Sequence, residues 1–189
     1  MQEIVVIDNY DSFTYTLVHY LEDLNCKVSV FRNDEFELEE LDKYDKIVLS
    51  PGPGLPVEAN LLKNVIQKYC STKSILGVCL GHQAIGEVFG AKLLNLETVC
   101  HGVSTLIKSV VDDEILFHNL PKQFEVGRYH SWVIDPTNFP NDLEITSITN
   151  SGEIMSIRHK LHKIKGVQFH PESILTPNGK TILLNWLAE

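Results

Sequence analysis

The sequence is short of several things, and each shortage excludes a class of protein. No apolar run approaches the ~18 residues that a membrane-spanning helix needs. The first such stretch, Ile4–Ile7, stops at Asp8. The opening Met1-Gln2-Glu3 has none of the basic residues that begin an export signal. Positive charge is scarce: 16 Lys and Arg face 25 Asp and Glu, a net charge of −9. A chain of that sign lacks the electrostatic footprint of a nucleic-acid binder. Cysteine is sparse, and Cys26, Cys70, Cys79 and Cys100 form no C-x-x-C pair of the zinc or redox kind. Four such thiols without an export signal read as reduced, and the expected compartment is cytoplasmic. Repeats, low-complexity tracts and linkers are missing too, so residues 1–189 are expected to form one domain.

What is present is ordinary for a folded chain: 43% hydrophobic and 22% charged residues, enough for a core without metal or disulfide staples. Ile4–Ile7, Lys27–Phe31, Ile47–Leu49 and Ser74–Val78 read as buried parallel strands, because strands covered on both faces lose the in–out alternation. Between them lie helical patterns. Phe13, Leu17, Tyr20, Leu21 and Leu24 form one apolar stripe, with Asp11 or Ser12 as its cap. Leu61, Leu62, Val65, Ile66 and Tyr69 form another, and a short acidic helix is expected around Leu38–Leu41. Beyond about Ala91 the pattern turns to strands and hairpins. Leu143–Thr149 and Glu153–Arg158 flank an Asn150-Ser151-Gly152 turn, Ile164–Phe169 follows, and a helix over Asn178–Leu187 closes the chain. The expected fold is α/β: a single-domain, open mixed, mostly parallel sheet with helices on both faces.

Open sheets of this kind place ligands beyond the carboxyl ends of their strands. Three segments would lie there: Asn9–Phe13, Ser50-Pro51-Gly52-Pro53-Gly54 and Gly77-Val78-Cys79-Leu80-Gly81. The last has the form of a nucleophile elbow, a strand-to-helix turn so tight that small residues flank the reactive one. It would set the Cys79 sulfur at a helix N-terminus, which favours the thiolate. The plainer alternative is a small buried hydrophobe, the usual fate of a free cysteine. A cysteine nucleophile needs a base and a group to orient it. His170-Pro171-Glu172 supplies both if the segment is extended, because residues two apart then point the same way. A surface or capping histidine is the alternative for His170. His82 falls in the helix after the elbow, and Arg158–Lys163, with His159 and His162, reads as a solvated basic loop. Ser50–Gly54 offers backbone N–H groups to an anion, or is a plain loop. It lacks the Lys-Ser/Thr pair of a phosphate-binding loop.

Taken together, these segments resemble the class I glutamine amidotransferases, whose glutaminase domains use Cys, His and Glu. The matching stretches are Leu49–Gly54, Gly77-Val78-Cys79-Leu80-Gly81-His82-Gln83 and Gly166-Val167-Gln168-Phe169-His170-Pro171-Glu172-Ser173, in the family's order. Asp8–Thr14 and Gly127-Arg128-Tyr129-His130-Ser131 resemble, within that family, the glutaminase subunits of anthranilate synthase and aminodeoxychorismate synthase. Thr16, Val103 and Trp132 depart from the residues usual there. The resemblance implies hydrolysis of L-glutamine with Cys79, His170 and Glu172 as the catalytic residues. It implies glutamine contacts at Gly52, Pro53, Gly54, Leu80, Gln83, Ser131 and Trp132. It implies no metal or cofactor, and as partner a chorismate-using synthase subunit that receives the ammonia. A different ammonia-using synthase, a γ-glutamyl peptide hydrolase and a catalytically silent subunit remain as alternatives.

Overall fold

The computed structural model describes residues 2–189. Five strands run parallel in its sheet: β1 (Gln2–Asp8), β2 (Cys26–Arg32), β3 (Lys46–Leu49), β4 (Ser74–Val78) and β11 (Ile164–Val167). Four more extend it by antiparallel pairing: β6 (Val103–Ser109), β7 (Gln123–Arg128), β9 (Leu143–Thr149) and β10 (Ile154–His159). The order across the nine is β2-β1-β3-β4-β11-β10-β9-β6-β7. A separate ribbon pairs β5 (Leu93–Asn95) with β8 (Trp132–Ile134). The sheet is therefore mixed, and the antiparallel half comes from the hairpin-rich region after Ala91.

β3, β4 and β11 are buried along their whole length, and β1 from Ile4 on, because both of their faces are covered, whereas the edge strand β2 is mostly half-buried. Ile4 and Val6 of β1 point to one side, where α1 (Thr14–Asp23) brings Leu17, Val18 and Leu21 and α4 (Gly179–Leu187) brings Ile182, Leu183 and Trp186. Val5 and Ile7 point to the other, where α2 (Leu62–Tyr69) contributes Leu62, Val65 and Ile66 and α3 (Leu80–Val88) contributes Ala84 and Ile85. Full burial of such side chains stabilises by about 1.5–3 kcal/mol each.

Three local expectations are corrected. Helix α1 starts at Thr14, with Phe13 in the capping position and no side-chain cap. Asp11 instead accepts the Phe13 N–H (2.8 Å) in a turn one residue earlier, while the Thr14 hydroxyl donates to Asp8 (2.8 Å). Strand β11 ends at Val167, two residues early, because the chain bends there to let the His170 N–H reach the Gly127 carbonyl at the end of β7 (3.0 Å). His159 is no solvated loop residue. It is buried, its ring lies edge-on to Phe89, and its Nδ1 accepts the Leu161 and His162 N–H groups (3.0 Å each). Burial lowers its pKa.

His82, in the first turn of α3, is buried with both ring nitrogens free of hydrogen bonds. Burial pushes its pKa down to about 3, so the folded protein holds it neutral while the unfolded chain protonates it below about 6.5. The unfolded state then binds the extra proton, and stability falls as pH drops from about 6.5 towards 3. His82→Met should flatten that decline by up to about 1.4 kcal/mol per pH unit in urea unfolding at pH 4–6, with little change at pH 8. An unchanged acid slope would show that His82 is not among the groups responsible.

Candidate active site

The carboxyl ends of β1, β3, β4 and β11 converge on one corner, and the elbow at Cys79 is its centre. Cys79 sits at φ 51°, ψ −99°, a left-handed conformation that a side-chain-bearing residue adopts only when its surroundings force it. The surroundings here are two glycines. A Cβ on Gly77 would come within 2.5 Å of the Gly81 carbonyl group, and one on Gly81 within 2.5 Å of the Leu49 carbonyl oxygen. The Cys79 N–H is tied to the Val167 carbonyl of β11 (2.8 Å). α3 begins at the next residue, so its unpaired first-turn N–H groups lie beside the sulfur.

His170 is clamped through its main chain. Its N–H donates to the Gly127 carbonyl (3.0 Å), and its carbonyl accepts from the Thr176 hydroxyl (2.6 Å) and the Ser173 N–H (3.2 Å). Pro171 and Glu172 therefore lie in a turn, not on the extended segment expected from sequence. The turn still brings Glu172 Oε1 to 2.7 Å from His170 Nδ1. Gly179 closes the turn from behind: a Cβ there would sit 1.7 Å from the Pro171 carbonyl oxygen. His170 and Glu172 are both buried. Burial opposes a charged imidazole, but the attraction of Cys79 and Glu172 outweighs it and raises the His170 pKa to about 10. Cys79 and His170 line the same cavity, so the sulfur and the imidazole face one space. Phe13 and Tyr129 flank the ring at 5.2 and 4.9 Å between centroids.

That cavity, about 140 Å³, also touches Ser12, Pro51 and Tyr129. A second, about 170 Å³, shares Cys79 and Gly52 with it and continues past Pro53, Gly54, Gln83, Ser131 and Trp132. Six of the seven expected glutamine contacts thus line one space. Leu80 does not line it, since its side chain is buried and its Cδ2 sits 2.5 Å from where a Gly52 Cβ would be. Larger depressions, of about 460 and 450 Å³, lie elsewhere and contain none of Cys79, His170 and Glu172. Their size carries no chemical argument, so the smaller pair defines the site. Among the described residues, no group of three or more His, Cys, Asp or Glu could hold a metal ion.

Sequence reasoning missed two contributors. Gln168 Nε2 reaches Cys79 Sγ (3.6 Å), although the sequence marks the residue only as one position of a longer motif. The other is a chain of amides that fixes the Ser50–Gly54 loop. Asn60 donates to Asn33 (2.9 Å), Asn33 to Asn9 (3.0 Å) and Asn9 to the Ser50 carbonyl (2.9 Å), while Ser50 Oγ accepts the Asn9 N–H (2.8 Å). Asn9 and Asn33 each directly follow a strand, but nothing local marks them as partners. Asn33 and Asn60 join Asn9 through tertiary contact.

A turn-borne cysteine, a histidine held by a carboxylate and a loop of free backbone donors is a constellation suited to acyl transfer by a cysteine nucleophile. The chain belongs to the class I glutamine amidotransferase family, whose model matches residues 5–189. It is 46% identical over 187 residues to anthranilate synthase component 2 of Cyanophora paradoxa, covering 97% of each chain. It is 43% identical over 191 residues to the bifunctional protein TrpGD of Thermotoga maritima, covering 99% of this chain but 32% of that longer one. A Thermoplasma acidophilum protein described provisionally as a GMP synthase subunit superposes with a TM-score of 0.88 at 28% identity, covering all of this chain and 93% of the other.

Gly81→Ala forces a Cβ into the backbone of β3 and should destabilise the protein by about 1–3 kcal/mol in denaturant unfolding, with loss of activity beyond the loss of fold. A variant as stable as wild type would show that the elbow tolerates a wider turn.

Proposed function

We propose that the chain is the glutaminase subunit of an anthranilate synthase, releasing ammonia from L-glutamine for a chorismate-using synthase subunit. On this reading residues 1–189 act as one amidotransferase domain in the cytoplasm, in tryptophan biosynthesis. The observation that carries the chemistry is the buried His170–Glu172 pair, 2.7 Å apart, sharing a cavity with Cys79. The names of relatives that match nearly end to end support the pathway.

In this mechanism His170 takes the proton of the Cys79 thiol as Sγ attacks the side-chain amide carbon of glutamine. The amide oxygen becomes an oxyanion, received by the backbone N–H groups of Gly52 and Leu80; such donors are each worth about 10²–10³ in rate. His170 passes a proton to the departing nitrogen, the C–N bond breaks, and ammonia leaves a γ-glutamyl thioester on Cys79. Water then attacks the thioester, His170 takes its proton, the C–S bond breaks and glutamate departs. Glu172 holds Nδ1 throughout, which fixes the ring orientation and stabilises the imidazolium. Gln83 and the backbone of Ser131 and Trp132 hold the α-amino and α-carboxylate ends of glutamine, with Pro53 and Gly54 forming the facing wall.

Cys79→Ser should lower glutamine-dependent product formation by at least about 10³-fold in the complex with its synthase subunit, while free ammonium still supports the synthase. Retained glutamine hydrolysis would overturn the nucleophile assignment. With chorismate and glutamine supplied to the purified complex, anthranilate is the expected product; aminodeoxychorismate would move the protein to the folate branch.

Glu172→Gln removes one of the two attractions that keep the His170 pKa high. It should move the alkaline limb of glutamine hydrolysis to lower pH and reduce kcat by about 10²-fold or more. An alkaline limb that stays in place would assign it to another group.

A further inference from the structure

We propose that Gln168 is a catalytic residue of this site: its side-chain amide donates a hydrogen bond to the reacting sulfur of Cys79, and Gln83 and the Trp132 carbonyl fix its orientation. The proposal deepens the glutaminase reading and rests on it.

The direction of the amide follows from the far end of the chain. A backbone carbonyl can only accept, so the atom of Gln83 that lies 2.9 Å from the Trp132 oxygen is Nε2. That same nitrogen lies 3.1 Å from the side chain of Gln168, which must therefore present Oε1 to it. The other end of the Gln168 amide is then Nε2, and it faces Cys79 Sγ at 3.6 Å. A side-chain amide would otherwise be free to exchange its two ends. Here one main-chain oxygen of β8 sets the polarity of two buried glutamines and delivers an N–H to the sulfur. Gln168 is fully buried, and its own N–H is held by the Met155 carbonyl (2.9 Å), so neither end of the residue can drift.

The chemical consequence is selective. Burial disfavours a thiolate, and a hydrogen bond donated to the charged form offsets that cost. An anionic sulfur accepts such a bond far better than a thioester sulfur does. Gln168 therefore favours the nucleophile before attack and favours the departing sulfur when water cleaves the thioester. It does so without donating a proton, a task that stays with His170. The arrangement also ties the two ends of the site together. Both Nε2 hydrogens of Gln83 are occupied, so only its Oε1 is left for substrate. A glutamine that disturbs Gln83 disturbs the donor on Cys79 as well.

The test compares wild type with Gln168→Met, which keeps the length of the side chain and removes the N–H. Alkylation of Cys79 by iodoacetamide is followed by mass spectrometry of the Cys79 peptide between pH 5.5 and 10, which separates it from Cys26, Cys70 and Cys100. The expected result is a rate at pH 7 lowered about tenfold or more, converging with wild type at alkaline pH, and a fall in kcat larger than any rise in KM. A packing role alone would change thermal stability and leave the alkylation profile in place. An unchanged profile in a folded Gln168→Met protein overturns the proposal. If that variant does not fold, Gln83→Met frees the Gln168 amide to turn over. It should show a smaller fall in the same direction, and no fall overturns the proposal equally. Labelling of wild-type Cys79 by a glutamine-analogue chloroketone keeps the two readings apart. No adduct counts against the glutaminase itself, whereas an adduct with an unchanged Gln168→Met profile counts against Gln168 alone.

Discussion

The contact between Gly77 at the end of β4 and Gly81 in the first turn of α3 fixes how closely the helix can approach the sheet. A methyl group on either would collide with backbone rather than with a yielding side chain. Because the two elements close to that distance, the single residue able to turn between them is forced to a positive φ, and that residue is Cys79. Its sulfur is lifted out of the strand, set at the helix N-terminus and left facing β11. The rest of the site is arranged around the place where that strain puts the sulfur.

Two further restraints meet it there. One is the hydrogen-bonded clamp on the backbone of His170, which uses Gly127 of β7 and Thr176 beyond the turn. The antiparallel half of the sheet thereby takes part in the site: β7 is its outermost strand, yet its last residues hold the histidine. The other is the amide chain from Asn60 to Ser50, which ties the loops after β1, β2 and β3 into one wall beside Gly52. Apart from the exposed Asn60, both use buried, hydrogen-bonded polar groups, and these specify geometry more sharply than apolar packing does.

Much of this was legible in the sequence because it was local. The apolar runs of the parallel strands, the elbow glycines and the nearness of His170 to Glu172 all concern residues within a few positions of one another. What misled was local as well. Asp11 looked like a helix cap because cap signals hold only to within a residue. His159 looked solvated because its charged neighbours did, whereas its ring is buried against Phe89, seventy residues away. The His170–Glu172 contact was expected for the wrong reason, since a turn and an extended strand both bring side chains two apart to one side.

The sequence by itself determined the class of sheet, the buried faces of its helices and the identity of the three residues on which the chemistry is proposed to rest. Each of these is written in spacing along the chain, and backbone geometry translates spacing directly into direction. Only the tertiary structure decided which polar groups orient those residues. Gln168 and Gln83, Asn33 and Asn9, and Gly127 and His170 come together across crossovers or across the sheet. Their partnership depends on strand order and on distances of a few tenths of an ångström, which no local pattern encodes.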